Sequence, residues 1–177
     1  LWDNAWRLRE IEQTRESDAL KDENFFEQFT DQQVEQIYGA PVDQTGPAGP
    51  WLEKETATKA TKIERLLNFL HETDKLWDRR LMLDRAREVF AEVYLSWESC
   101  GLTDAVAGKL FPDVAENLRA EQARWKTGGA SVEYRNFCVR KVELVLVRNH
   151  NDNSRDEYVA RVSAHAQKIL KRNGAVT

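Results

Sequence analysis

LMLDRAREVFAEVYLSW, residues Leu81–Trp97, is the stretch on which the reading of the fold turns. Met82, Ala86, Val89, Phe90, Val93, Tyr94 and Trp97 recur at steps of three and four, which collects them on one face of a helix. Asp84, Arg87, Glu88 and Glu92 fall largely on the other face. A helix so divided needs an apolar surface to lie on. The only later stretches that offer a broad one are two long alternating segments near the C-terminus. The chain is therefore predicted to be α+β, with helices packed on a strongly curved antiparallel sheet.

Outward from this helix, the C-terminal side changes period at about Val132. In NFCVRKVELVLVRN, Cys138, Arg140, Val142, Leu144 and Leu146 alternate with Phe137, Val139, Lys141, Glu143, Val145 and Val147, giving a strand that is apolar on both faces toward its end. The polar run from His150 to Arg155 reads as a turn, with His150 in solvent, and Tyr158 to Ile169 as the second strand of a hairpin. Between helix and hairpin, Gly101 is expected to end the helix in the left-handed position. Thr103 or Asp104 caps a short helix reaching Leu110. Pro112 opens a further helix carrying Val114, Leu118, Ala120 and Trp125, stopped at Gly128-Gly129.

On the N-terminal side, a helix is predicted over Leu52–Glu72, striped by Ile63, Leu66, Leu67 and Leu70 and ending at His71, where a cation suits the helix dipole. Ahead of it, residues 39–50 hold three of the four prolines and three of the eight glycines, which marks a linker. A phosphate loop is excluded there, because the prolines remove the donors it would use. Residues 1–38 form an acidic aromatic arm, predicted helical in two short pieces, one carrying Trp2, Trp6, Leu8 and Ile11 and the other running from Asp31 to Tyr38. Trp2, Trp6, Phe25, Phe26 and Phe29 are its docking residues, and docking on its own domain is the simpler expectation. Residues 51–177 are the main domain.

Composition narrows the function. Charged residues are 32% and hydrophobic ones 41%, and no apolar run approaches the roughly 18–20 residues a membrane span needs. The chain opens on Leu1 without a signal-peptide core and reads as processed or partial. Ten acidic residues against four basic ones in 1–40, and nine basic against four acidic in 135–177, polarise a chain whose net charge is −4. No zinc-finger spacing, RNA-binding aromatic signature or dense Lys/Arg cluster points to nucleic acid. Cys100 and Cys138 have neither metal nor redox spacing and are expected to be buried, reduced thiols. The three histidines, His71, His150 and His165, fall at a helix end, in a turn and on a strand, so no metal site, cofactor motif or catalytic dyad is expected.

The order Trp77, Arg85–Trp97, the helix with Leu118 and Trp125, Val142-Glu-Leu-Val145, and Asp156–Ala164 resembles the Tim forty-four-like family, over roughly Asp74 to Gly174. That family comprises the C-terminal domain of the mitochondrial inner-membrane import-motor scaffold and its bacterial relatives, within the nuclear transport factor two superfamily. The resemblance implies a cone of helices and bent sheet around an apolar pocket. Here the pocket or partner-binding residues would be Phe90, Val93, Tyr94, Trp97, Leu144 and Val162. It also implies a noncatalytic, membrane-peripheral interaction module. Such a module would hold a protein partner, an inner-membrane or membrane-complex subunit, or an acyl chain or lipid, on the reducing side: the mitochondrial matrix face or the bacterial cytoplasmic face. The family pattern continues into further strands, so downstream strands or a strand from another chain are expected to complete the sheet. A pI near 5.5 departs from the basic import-motor relatives. Two alternatives stand beside this reading. One is an architectural subunit of a large membrane-associated complex. The other is a small-molecule-binding enzyme of the same superfamily, for which Tyr94, Ser163 and His165 are the only inward candidates.

Overall fold

The computed structural model describes residues 5–11, 22, 24–27 and 51–176, with residues 51–58 and Phe26 described at the backbone alone. In chain order these form β1 (Phe25–Phe26), α1 (Trp51–Thr73), a 3-10 turn (Lys75–Trp77), α2 (Arg79–Ser99), α3 (Asp104–Ala107) and α4 (Pro112–Thr127). They are followed by β2 (Ala130–Asn149), a 3-10 turn (Asn153–Arg155), β3 (Glu157–Arg172) and β4 (Ala175–Val176). The class is α+β. The strands lie in the order β1-β2-β3-β4, and β2, β3 and β4 form an antiparallel sheet that does not close.

The chain divides into two compact units, the first comprising Leu1–Ala5, Glu12–Leu83 and Glu143–Arg161, the second Trp6–Ile11, Asp84–Val142 and Val162–Thr177. In the first, the α1 stripe Ile63, Leu66, Leu67 and Leu70 is buried, as are Trp77, Met82 and Leu144, Val145, Leu146 and Val147. Four consecutive buried residues on a strand mean that both of its faces are covered. The α1–α2 corner is built from two aspartates. Asp74 accepts from Leu76 N at 2.9 Å and opens the 3-10 turn, and Asp78 accepts from Leu81 N at 2.9 Å and starts α2. That backbone donor, more than any neighbouring charge, holds the Asp78 carboxyl below its ordinary range.

β1 pairs with the first unit's part of β2 in parallel, Phe25 opposite Arg148 and Phe26 opposite Asn149. Two residues of pairing are little by themselves. Side chains lengthen the clasp: Asn24 Oδ1 accepts from Val147 N at 3.1 Å, and Glu27 Oε2 accepts from Asn151 N at 3.0 Å.

In the second unit, α2 presents two stripes. Val89 and Val93 join Leu102, Leu110 and Ala115 in an aliphatic core flanked by Leu8, Val106, Ala107, Val114 and Leu118. Ser96, on the same stripe, is buried and accepts from Gln122 Nε2 of α4 at 2.7 Å. Phe90, Tyr94 and Trp97 stand roughly a quarter turn away and are half-buried. The deepest face of the organising helix therefore packs among helices, and its aromatic flank meets the sheet. Lys109 ties these elements together, reaching Glu88 at 2.7 Å and Glu92 at 2.8 Å, one turn apart on α2.

Several expectations are corrected. Residues 5–11 are extended rather than helical, because Leu8 bridges Leu110 in parallel and exchanges backbone bonds with Lys109 and Phe111, which satisfies polar groups a short helix would leave open. Arg9 fastens the same segment, pairing with Asp113 at 3.0 Å and lying over the Phe111 ring. The helix expected over 31–38 lies outside the described residues. At the end of α2 the left-handed residue is Cys100, φ 44°, not Gly101. Gly101 N bonds Ser96 O and Cys100 N bonds Trp97 O, the double closure that puts the residue before Gly101 in the left-handed position. Both thiols are free, yet Cys138 is exposed and Cys100 only half-buried, because Cys138 lies on the outward face of the second unit's part of β2. The β3–β4 turn was not expected. Asn173 (φ 50°) and Gly174 (φ 83°) form a two-residue hairpin turn of the type that asparagine-glycine pairs favour. It folds back on the α4–β2 turn, where Gly129 (φ 67°) leaves no room for a side chain: a Cβ there would sit 2.1 Å from Asn173 Oδ1.

Candidate functional site

The second unit contains a four-ring cluster on the aromatic flank of α2. Phe90 and Tyr94 are 4.6 Å apart centroid to centroid. Phe137 lies 6.3 Å from Phe90 and 6.2 Å from Tyr94, and Tyr134 lies 6.0 Å from Tyr94 and 6.2 Å from Phe137. Strict alternation would send Tyr134 and Phe137 to opposite faces of β2. They share a face because Asn136 between them adopts φ 53°, which shifts the phase of the strand at that point. Arg87 donates to Val139 O at 2.9 Å and Glu98 accepts from Tyr134 N at 2.6 Å, so α2 is pinned to the strand on both sides of the rings. Burial, with Tyr94 and the Glu98 charge, raises the Tyr134 phenol above its ordinary value and keeps it neutral. All four rings are half-buried, which leaves apolar surface for a ligand beside phenol groups that can hydrogen-bond.

Of the residues expected at a pocket or partner site, Phe90 and Tyr94 enter this cluster. Val93 belongs to the aliphatic core, and Trp97 packs edge-on against Trp125 of α4 at 5.3 Å. Val162 is half-buried on β3, and Leu144 is buried in the first unit. Of the arm residues, Trp6 is half-buried and its carbonyl accepts from Arg85 at 3.2 Å, and Phe25 and Phe26 lie in β1. Trp2 and Phe29 lie outside the described residues.

The same unit carries an open strand. Ala164, His165, Ala166, Gln167 and Lys168 are exposed in succession, so both faces of β3 are bare there. His165 is exposed, and its Nδ1 accepts from Arg140 Nε at 3.0 Å. Glu133 takes Lys171 and Arg135, each at 2.6 Å, and these two donors bring its carboxyl down to about 2.

In the first unit, Phe25, Arg148, His150, Arg155 and Glu157 line an open groove of about 540 Å³. His150 was expected in solvent. Instead its ring packs on Phe25 at 5.0 Å, with Nδ1 3.5 Å from Glu27 Oε2, because the β1 clasp brings both onto the turn. Arg148 is already matched by Glu157 and by Asp22. Behind the turn, Asp156 Oδ1 accepts from His150 N at 2.6 Å, while Asp156 Oδ2 and the fully buried Asn149 Oδ1 have no partner among the described residues. Burial raises the Asp156 carboxyl above its ordinary value, against the backbone donor of His150 that lowers it. Among the described residues, no group of three or more His, Cys, Asp or Glu side chains is placed to hold a metal ion, and no helix is long and apolar enough to cross a membrane.

No family model, curated protein or solved structure matches the chain. The missed members of the ring cluster, Tyr134 and Phe137, carry one usable signal: an asparagine between two aromatic residues in a strand, where a left-handed turn of the backbone is tolerated.

Proposed function

We propose that the chain is a noncatalytic, membrane-peripheral protein-interaction module of the Tim forty-four-like kind. In this reading its helices and strongly curved sheet make a cone whose apolar lining holds a protein partner or an acyl chain. The half-buried cluster of Phe90, Tyr94, Tyr134 and Phe137 carries this reading. Rings with one face packed and the other exposed are typical anchors of interfaces. Two free thiols, one of them exposed, support a reducing compartment. His165 supports the noncatalytic reading, since an exposed imidazole that accepts from an arginine lacks the sheltered carboxylate partner a general base would use.

The test places a photo-crosslinking residue at Tyr94 and, as a control, at the exposed Glu116 of α4, in membranes from a cell that makes the protein. A discrete protein or lipid adduct from position 94 and none from 116 is expected. Equal labelling from both positions, or turnover of a small substrate lost on His165→Ala, would overturn the reading.

A further inference from the structure

We propose that the open edge of β3, residues 162–169, receives an extended acidic segment of a partner protein by strand addition. Three observations in the second unit converge on it.

The first is the backbone. Among the described residues, β3 has strand neighbours only in β2 and β4, and β4 pairs just Lys171 with Val176 and Arg172 with Ala175. No described strand pairs with the other edge over Val162–Ile169. An edge of this kind presents a row of donors and acceptors that a further strand can satisfy.

The second is steric. Ser163, Ala164 and Ala166 are small, and the run from Ala164 to Lys168 is exposed, so nothing bulky stands between the edge and an incoming main chain. The Asn173-Gly174 turn and β4 close the edge at Lys171, which sets where the added strand must stop.

The third is charge, and it selects the occupant. Among the described residues, no carboxylate pairs with Arg140, Lys168 or Arg172, all of which are exposed, and Arg140 spends its Nε on His165 Nδ1. Glu133, a carboxylate on this part of the sheet, is consumed by Lys171 and Arg135. Cations on an edge discourage pairing with a second copy of the same strand, because two such edges would face each other with the same sign. The same cations favour a strand bearing Asp or Glu. An acidic segment is therefore the occupant that the edge accepts and a copy of itself is the one it resists.

This inference rests on the interaction-module reading only in taking the ligand to be a protein segment. Its test uses the full chain and a short peptide alternating glutamate with valine, beside a lysine-valine version and a backbone N-methylated glutamate-valine version that cannot complete the ladder. Amide hydrogen exchange should slow at residues 162–169 with the acidic peptide alone. Affinity should fall as salt rises, and the charge reversal K168E with R172E should weaken it on the order of tenfold. Equal binding of the lysine peptide, or protection elsewhere, overturns the proposal. Protection that grows with protein concentration without peptide assigns the edge to a second copy. Binding of phosphatidylserine vesicles that R172E abolishes, with no amide protected by the acidic peptide, assigns the cations to a lipid surface. A specific adduct through Tyr94 together with a silent edge would sink strand addition and leave the module reading intact; loss of both would sink both.

Discussion

The two halves of β2 share one backbone and differ in what covers them. In the first unit Leu144 through Val147 are buried without interruption, whereas in the second unit residues 133–142 are half-buried or exposed. The difference teaches where stability and recognition are placed. Fully covered apolar side chains contribute the most on folding. A half-covered stretch contributes less and keeps surface for contacts.

The largest test of that contrast is a pair of truncations. Leu144→Ala should cost about 2–5 kcal/mol, the range for a buried leucine that leaves a cavity, and Phe90→Ala about 1–2 kcal/mol because its ring is only half-buried. Chemical denaturation of both variants measures the gap. Equal costs would mean that the aromatic flank is as much a core as the aliphatic strand.

Next comes the residue that shifts the phase of the second half. Asn136→Val forces a β-branched side chain into φ 53° and should cost roughly 1–2 kcal/mol, while Asn136→Gly should be close to neutral. Near-ultraviolet circular dichroism should also change with valine, as Tyr134 and Phe137 part. An unchanged aromatic signal and stability would remove the left-handed turn from the account of the cluster.

A third comparison sets one carboxylate from each unit against the other. The Asp156 carboxyl is raised, chiefly by burial, so the folded state favours its protonated form. Its contribution to stability is present below its ordinary value near 3.8 and is lost as pH rises through the folded value. Glu133 runs the other way. Its carboxyl is held at about 2 by Lys171 and Arg135, so its contribution is present above the ordinary value near 4.5 and is lost as pH falls toward 2. Asp156→Asn should therefore stabilise the protein at neutral pH by up to about 1 kcal/mol, since it removes a partly buried charge and keeps an acceptor for His150 N. Glu133→Gln should flatten the loss of stability between about pH 4.5 and 2. Thermal melts across pH read both effects.

The smallest effect is expected at Cys100. Placing glycine at φ 44° relieves a left-handed conformation, so Cys100→Gly should gain a few tenths to about 1 kcal/mol, less whatever the thiol contributes through its contact with Trp97 O. A loss of stability would show that the thiol contact outweighs the backbone strain.

Periodicity by itself determined the elements with long, regular patterns. Ile63, Leu66, Leu67 and Leu70 announce α1, and Val89 and Val93 announce α2, because three- and four-residue spacing permits only one helical face. Thr103 or Asp104 and Pro112 announce the starts of α3 and α4, since capping chemistry and a missing N–H act within one turn, and Thr103 is the residue that caps α3. The doubly apolar run Leu144–Val147 was legible for the same local reason. Tertiary structure alone decided which neighbour each face received. Two stripes on α2 are equally apolar in the sequence, yet Val89 and Val93 go to Leu110 and Ala115 while Phe90 and Tyr94 go to Tyr134 and Phe137. One backbone angle at Asn136 sets the second pairing, and no alternating pattern contains it. Residues 5–11 became extended because Lys109 and Phe111 offered their backbones to Leu8, and the groove at His150 exists because Asn24 and Glu27 clasp a distant strand. Such partners lie tens of residues away, and burial and hydrogen bonding between them come into being only once the chain has closed on itself.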